Sequence, residues 1–208
     1  MTHTPHIPDN DERQLPQFNR MQTIKRRFFA MRNGALAQQM RSGGLDYRIN
    51  FGLNIPQIKE IAREVASWGL TDTELAGIAT ELWHNTSTRE SMLMAPMIFP
   101  TGAMTDEIAA EWLSEAPTTE VADMLCHSLL RHLTCAPAIA AHLLGTLEAT
   151  DINRYASLRL MFNLLMLGQI TPGALAPEVD AERLRTCGLT APLCRQILQE
   201  IEFLSEPE

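Results

Sequence analysis

The chain has 208 residues, 45% of them hydrophobic and 20% charged, a balance typical of one folded domain or one repeat array. Its formal charge of −8 is unevenly spread. Residues 1–64 carry ten Lys and Arg against six acids, whereas residues 65–208 carry seven against nineteen. The charge therefore counts against nucleic-acid binding over the whole surface but is compatible with a local basic face in the first third.

The sequence shows no sign of export, membrane insertion or metal binding. Its beginning is polar, and no segment approaches the ~20 uninterrupted apolar residues of a membrane-spanning helix. We therefore expect a cytoplasmic protein without membrane contact. The four cysteines lack CxxC spacing and lie among apolar residues, which favours reduced thiols over zinc ligands or disulfides. His127 and His132 fall on different helix faces, so we expect no metal and no cofactor.

The first elements in chain order are a tail and a helix. Residues 1–18 contain three prolines and a run of charged side chains, which predicts a mobile N-terminal tail ahead of a single domain at residues 19–208. A long helix is predicted over residues 18–40, followed by a loop over residues 45–54. Pro56 then suits the first turn of a further helix.

From Thr71 onward the predicted helices come in pairs, and capping boxes at Thr71 and Ser87 begin the two helices of the first pair. The pairs are residues 72–83 with 88–98, 105–114 with 118–133, 137–148 with 151–167, and 172–185 with 191–204. Their starts are 34, 31 and 35 residues apart, a spacing that indicates stacked helical hairpins. The pattern predicts an all-α fold, an α-α superhelix with one concave surface.

Asp123 lies in the interior of a predicted helix that is otherwise apolar around it. Aspartate is a mediocre helix former and is favoured in the first turn. If Thr118 is the N-cap, Glu120 occupies that turn and Asp123 comes one turn late. The carboxylate either accepts hydrogen bonds from a neighbouring repeat or belongs to a functional site, and the sequence leaves both explanations open.

Four groups of residues occur in an order that identifies a family resemblance. They are Gly52-Leu53-Asn54-Ile55-Pro56-Gln57-Ile58-Lys59-Glu60-Ile61-Ala62, Glu81-Leu82-Trp83, Arg89-Glu90 leading into Ala95-Pro96-Met97, and Glu120-Val121-Ala122-Asp123. Over about residues 20–170 the chain resembles the DNA alkylation-repair family of HEAT-like repeat proteins, the AlkD-like DNA glycosylases. The resemblance implies a solenoid whose concave face binds duplex DNA without sequence specificity and excises N3- or N7-alkylated purines.

The resemblance also implies roles for individual residues. The family site has a Trp and an Asp four apart on one helix, an Arg on a later helix and a second Trp beyond it. Asp123 matches the Asp, which makes it the implied catalytic residue, while Thr119 stands in the position of the first Trp. Tyr155 could supply a ring, and either Arg154 or Arg159 the cation. No Trp follows Trp112, so the second Trp has no counterpart.

The implied chemistry needs few groups. An alkylated purine already carries a positive charge, so it leaves without a general acid, and one carboxylate can stabilise the oxocarbenium-like sugar. Contacts with the DNA backbone are expected from basic residues that read no sequence, namely Lys25, Arg26, Arg27, Arg32 and Arg131.

Two other functions fit the same sequence. A DNA-binding protein without catalysis would keep the basic face and tolerate the loss of both tryptophans. A protein-interaction scaffold of the same fold would use the acidic last two thirds to hold a protein partner. Salt dependence separates the two, because phosphate contacts weaken steeply as salt rises.

Overall fold

The computed structural model describes residues 16–146, 148–185 and 187–205, without the side chain of Phe18. These residues form eleven α-helices and two short 3-10 turns, and their one β pairing is an isolated bridge between Ile49 and Thr88. The predicted all-α class of packed helical repeats is confirmed. Most of the predicted tail, residues 1–15, lies outside the described residues.

The helices group into two compact units that divide between Ile98 and Phe99. The first unit contains α1 (Gln17–Ala30), α2 (Gly34–Ser42), α3 (Ile55–Ala66), α4 (Asp72–His84) and α5 (Arg89–Ile98). The second contains α6 (Asp106–Glu115), α7 (Thr119–Ser128), α8 (Ala136–Gly145), α9 (Asp151–Met166), α10 (Pro172–Leu184) and α11 (Ala191–Ser205). The four predicted pairs, α4 with α5 through α10 with α11, are confirmed with bounds that shift by a few residues. The largest difference is in α7, which was predicted to reach residue 133 but ends at Ser128 and is followed by a 3-10 turn at Leu130–His132. Within the described ranges, no helix has the length and apolar character that crossing a bilayer requires.

The predicted long helix over residues 18–40 was wrong, because the chain breaks at Asn33. This residue has an extended backbone, with φ −128° and ψ 99°, and its side chain accepts a hydrogen bond of 3.1 Å from the backbone N–H of Leu36. Its own backbone N–H donates to the carbonyl of Phe51 at 2.8 Å. Asparagine is a poor residue inside a helix and a good N-cap, so it ends one helix and begins α2.

A buried carboxylate holds the loop before α3. Glu90 accepts hydrogen bonds from the backbone N–H groups of Phe51 (3.2 Å) and Leu53 (3.3 Å), and it pairs with Arg89 at 3.3 Å. Arg89 in turn donates to the carbonyl of Leu53 at 2.9 Å. Between these residues Gly52 has φ +72°, and a Cβ there would lie 2.1 Å from the carbonyl oxygen of Asn33. Gly52, Leu53, Arg89 and Glu90, which belong to the family resemblance, therefore hold this loop against the core of the unit.

The second unit is organised around α9, which packs against α6, α7, α8, α10 and α11. This helix begins with a capping box between Thr150 and Asn153, and the Asn153 amide also donates to the carbonyl of Ser114 at 2.6 Å. Its side chains are buried on nearly every face, as expected for a helix enclosed by others. Polar groups on α9 are therefore held in fixed positions against α7 and α8.

Candidate active site

Asp123 is presented from α7 at the edge of the packed interior. The helix begins as predicted, with the Thr118 hydroxyl accepting a hydrogen bond of 3.3 Å from the backbone N–H of Val121. Ala122 and Met124, on either side of Asp123 in the chain, are buried, whereas the Asp123 side chain remains 46% exposed. The carboxylate is therefore open to solvent instead of being sealed inside the unit.

Two side chains from α9 hold this carboxylate through one of its oxygens. The Tyr155 hydroxyl donates a hydrogen bond to Asp123 Oδ1 at 2.9 Å, and Arg159 Nε lies 2.8 Å from the same atom. The latter contact is an ion pair without the alignment of a hydrogen bond. Arg159 Nη2 also donates to the Tyr155 hydroxyl at 3.1 Å. No side chain of the described residues bonds to Oδ2, which leaves that oxygen for a ligand.

The position of α7 against α9 is fixed one turn further along. The Cys126 thiol donates to the carbonyl of Ala156 at 3.5 Å, next to Tyr155 in the chain. The guanidinium of Arg159 also lies over two rings, 5.6 Å from the centre of Tyr155 and 5.9 Å from that of Phe162. These contacts favour the orientation in which the arginine faces Asp123.

The protonation states in this cluster support the same arrangement. Burial alone would lower the pKa of Arg159, but the hydrogen bond with Tyr155 and the charge of Asp123 outweigh it, and the pKa is raised. Burial raises the pKa of Tyr155, and the charge of Asp123 acts in the same direction. Burial, followed by the charge of Asp123, raises the pKa of the Cys126 thiol. Near neutral pH Arg159 is therefore charged, Tyr155 is a hydrogen-bond donor, and Cys126 is not a nucleophile.

Arg154, the other candidate cation, belongs to a different cluster. It is buried, and it donates to the carbonyls of Leu144 (3.2 Å) and Thr146 (3.3 Å) at the end of α8. Its charge faces the buried Glu182 at 3.7 Å, and Glu182 accepts a hydrogen bond of 3.0 Å from Thr190. The structure brings Arg159, and not Arg154, to Asp123 and Tyr155.

Sequence reasoning did not single out Glu182. The signal for it was its spacing in α10, because Glu182 follows the buried Leu175 and Val179 at the intervals of one helix face. An acid on an apolar stripe requires a buried partner, and Arg154 is that partner. The pair ties α10 to α9.

Thr119 lies one turn before Asp123 on α7, so the two side chains share a helix face. It is half-buried, and its hydroxyl makes no hydrogen bond within the described part of the chain. On α9 the buried Nδ2 of Asn163 also lacks a hydrogen-bond partner among those residues, one turn beyond Arg159. Sequence reasoning did not single out Asn163, whose polar side chain follows Tyr155 and Arg159 at four-residue intervals.

The basic residues predicted to contact DNA differ in their surroundings. Lys25 and Arg26 are exposed on α1 and have no ion pair within the described residues. Arg27 pairs with Glu64 at 2.7 Å, and Arg32 lies 3.8 Å from the ring centre of Phe29. Arg131, in the 3-10 turn after α7, contacts His127 and His132. Four of the five therefore lie in the first unit and Arg131 in the second.

This arrangement can stabilise a nearby positive charge. One oxygen of Asp123 is anchored by a donor and a cation, and the other is directed to neither, so the carboxylate keeps a fixed orientation without being closed off. A carboxylate held in this way acts without reorganising when charge develops beside it. It can also accept a proton from, or orient, a water molecule.

Comparisons with known proteins give a match to a family model. The family model described as "DNA alkylation repair enzyme" matches residues 24–149, more than half of the chain. That range includes α7 with Asp123 and ends before α9, which carries Tyr155 and Arg159. Neither the curated proteins nor the solved structures gave a match.

Proposed function

The chain belongs to the DNA alkylation repair enzyme family, and from that premise we propose that it binds duplex DNA and excises N3- or N7-alkylated purines as a DNA glycosylase. The observation that supports this most directly is the state of Asp123. Its carboxylate is half-exposed, Oδ1 is held by Tyr155 and Arg159, and Oδ2 is open. A carboxylate that is fixed through one oxygen and still reachable from solvent can approach a bound nucleotide without reorganising.

In the proposed reaction Asp123 stabilises the sugar as its bond to the base breaks. The electron pair of the C1′–N bond leaves with the alkylated purine and neutralises its positive charge, so no acid is required. The sugar becomes oxocarbenium-like, and the negative charge of Asp123 opposes the positive charge that develops on it. Water then adds to C1′, and its proton passes to Asp123 or to solvent.

Residues around Asp123 have supporting roles in this proposal. Tyr155 and Arg159 orient the carboxylate, and the exposed edge of Arg159 contacts the substrate. Thr119, on the same face of α7, contacts the damaged nucleotide. Arg154 fixes α8 and α10 to α9 and stays buried, so its contribution is to the position of α9.

Backbone contacts in this proposal come from Lys25, Arg26, Arg32 and Arg131, which bind phosphates without reading sequence. Arg27 contributes least, because its guanidinium already pairs with Glu64 through Nη2 at 2.7 Å and Nε at 2.8 Å. Duplex affinity should therefore fall as salt rises, with a slope set by a small number of phosphate contacts.

Binding without catalysis is the second candidate, and Thr119 favours it. A threonine hydroxyl offers far less contact area to a base or sugar than a large aromatic ring does. A protein-interaction scaffold is the third, supported by the excess of acids after residue 64. Salt-sensitive affinity for undamaged duplex DNA without base release would support the second candidate, and no affinity for DNA at low salt would support the third.

Base release measures the proposed activity directly. Duplex DNA that contains N7-methylguanine or N3-methyladenine is incubated with the protein, and the free base is quantified. We expect slow release, which Asp123→Asn reduces at least ~30-fold. The matched control is Asp180→Asn, because Asp180 is an exposed aspartate paired with an arginine, Arg183, at 3.3 Å in the same unit. No release by the unmodified protein, or equal loss in both variants, would contradict the proposal.

A further inference from the structure

The segment from residue 16 to residue 45 contains no acidic residue at all. Six cations lie within it, and they are Arg20, Lys25, Arg26, Arg27, Arg32 and Arg41. Two of these are paired with acids from other helices, since Arg20 contacts Glu74 at 3.0 Å and Arg27 contacts Glu64. The other four are exposed and form no ion pair within the described residues. The surface of α1 and α2 thus has a positive charge that no acid of the segment offsets.

A large apolar side chain is exposed among these cationic residues. Phe29 is 55% exposed on α1, whereas Ile24 and Phe28 on the same helix are fully buried. Lys25 and Arg26 precede Phe29 by four and three residues, which places both beside it on the same face of the helix. The phenylalanine is therefore flanked by cations at a position where core packing does not require a ring.

Arg32 fixes one side of the Phe29 ring. Its guanidinium carbon lies 3.8 Å from the ring centre, and its Nη1 donates to the Phe29 carbonyl at 2.9 Å. The ring and the guanidinium form a short stack that is accessible to solvent. Aromatic rings and guanidinium planes are the two kinds of protein surface on which an unstacked nucleobase packs.

We propose that Phe29 and Arg32 form a stacking platform for an unpaired nucleobase, while Lys25 and Arg26 bind the adjoining phosphates. The proposal rests on the DNA binding proposed above and adds to it a site for an unpaired nucleotide. Bases within an intact duplex are covered by their neighbours, so the occupant is a nucleotide in a single strand, a gap or a frayed end. The cations beside the ring attract the phosphates, and the ring stacks on the base.

Fluorescence of a 2-aminopurine base in a single-stranded oligonucleotide tests the platform, because stacking on a ring quenches it. We expect quenching on binding to the full chain. Phe29→Ala should abolish the quenching and weaken affinity for the single strand about 10-fold, in line with the loss of one base-stacking contact. Phe29→Tyr keeps a ring and should restore both. The same variants should change affinity for a blunt, fully paired duplex less than about 2-fold, because the bases of a duplex are covered by their neighbours and cannot stack on the platform.

The matched control is Phe203→Ala. Phe203 is 70% exposed at the end of α11, next to Glu202, so it is an exposed ring in acidic surroundings. Its removal should leave quenching and affinity unchanged. Unquenched binding by the wild-type chain, equal losses in the two alanine variants, failure of Phe29→Tyr to restore binding, or no binding at low salt would each overturn the platform. Asp123→Asn should keep the quenching while losing base release, so failure of the glycosylase proposal is distinguishable from failure of this one.

Discussion

Two arginine–carboxylate pairs, one in each unit, show what burial does to the same chemistry. Arg89 and Glu90 are 1% and 0% exposed, whereas Arg159 and Asp123 are 22% and 46% exposed. Both oxygens of Glu90 accept hydrogen bonds from backbone N–H groups of the loop before α3. In the second pair only Oδ1 of Asp123 is held, and its contacts are side chains.

Arg89-Glu90 and Asp123 were both among the residues that carry the family resemblance, and their different burial separates a structural role from a functional one. A buried carboxylate with both oxygens in use cannot accept a ligand, and removing it takes away the charge that balances a buried arginine. A half-exposed carboxylate contributes little to stability and is available to a substrate. Arg89-Glu90 therefore maintains the fold, and Asp123 is the candidate for chemistry.

Glu90→Gln should have the largest effect on stability. The variant keeps the size of the side chain but removes the negative charge beside Arg89 in the core and turns an amide donor toward backbone N–H groups, which we expect to cost about 3–5 kcal/mol. Urea unfolding followed by circular dichroism measures this, with Asp123→Asn as the control at about 1 kcal/mol or less. Equal changes in the two variants would remove the distinction between the pairs.

Gly52→Ala should come next. The φ of +72° is strained for alanine, and the added Cβ would meet the carbonyl oxygen of Asn33 at 2.1 Å, so backbone must move. We expect a loss of about 2–3 kcal/mol. Gly44→Ala is a sharp control, because Gly44 also has a positive φ, of +93°, but has open space around it. Similar losses at both positions would show that the close approach at Gly52 is unimportant.

Tyr155→Phe should have a smaller effect, on the rate of base release through the orientation of Asp123. It keeps the ring under Arg159 and removes the hydroxyl that donates to Asp123 Oδ1, so the carboxylate loses one of its two anchors. We expect base release to fall about 3- to 10-fold, consistent with the loss of about one hydrogen bond. Rates under single-turnover conditions measure it. A rate equal to that of the wild type would show that Arg159 alone positions Asp123.

The smallest expected effect is a loss of stability at alkaline pH. Because the pKa of Tyr155 is raised in the folded chain above its ordinary value of 10.0, the folded state holds this proton more tightly than the unfolded state. The resulting stability is present in full below about pH 10 and is lost as pH rises through the higher folded pKa. The difference in unfolding free energy between the wild type and Tyr155→Phe should therefore shrink above about pH 10. Parallel curves across this range would contradict the raised pKa.

Much of the fold could be predicted from local signals. The capping boxes and the proline positions define helix starts, and the predicted pairs from residue 72 onward match α4 to α11. The break at Asn33 could not be predicted in the same way. Asparagine favours an N-cap, but the hydrogen bond from Asn33 to Phe51 that holds the break joins residues eighteen positions apart and has no local signal.

The candidate site was predicted only in part. Asp123 was identified because it interrupts an apolar helix one turn after the favoured position. The choice between Arg154 and Arg159 depended on neighbours in other helices, since Arg154 faces Glu182 in α10 and Arg159 faces Asp123 in α7. A single sequence does not record which helices meet, so both arginines stayed open until α9 was placed.

The decisive measurement compares the wild type with Asp123→Asn. It records the single-turnover release of N7-methylguanine from duplex DNA and the free energy of unfolding of the same samples. We expect a rate at least ~30-fold lower in the variant and a stability within about 1 kcal/mol of the wild type. Equal rates, or a stability loss as large as that of Glu90→Gln, would assign Asp123 to the same structural class as Glu90.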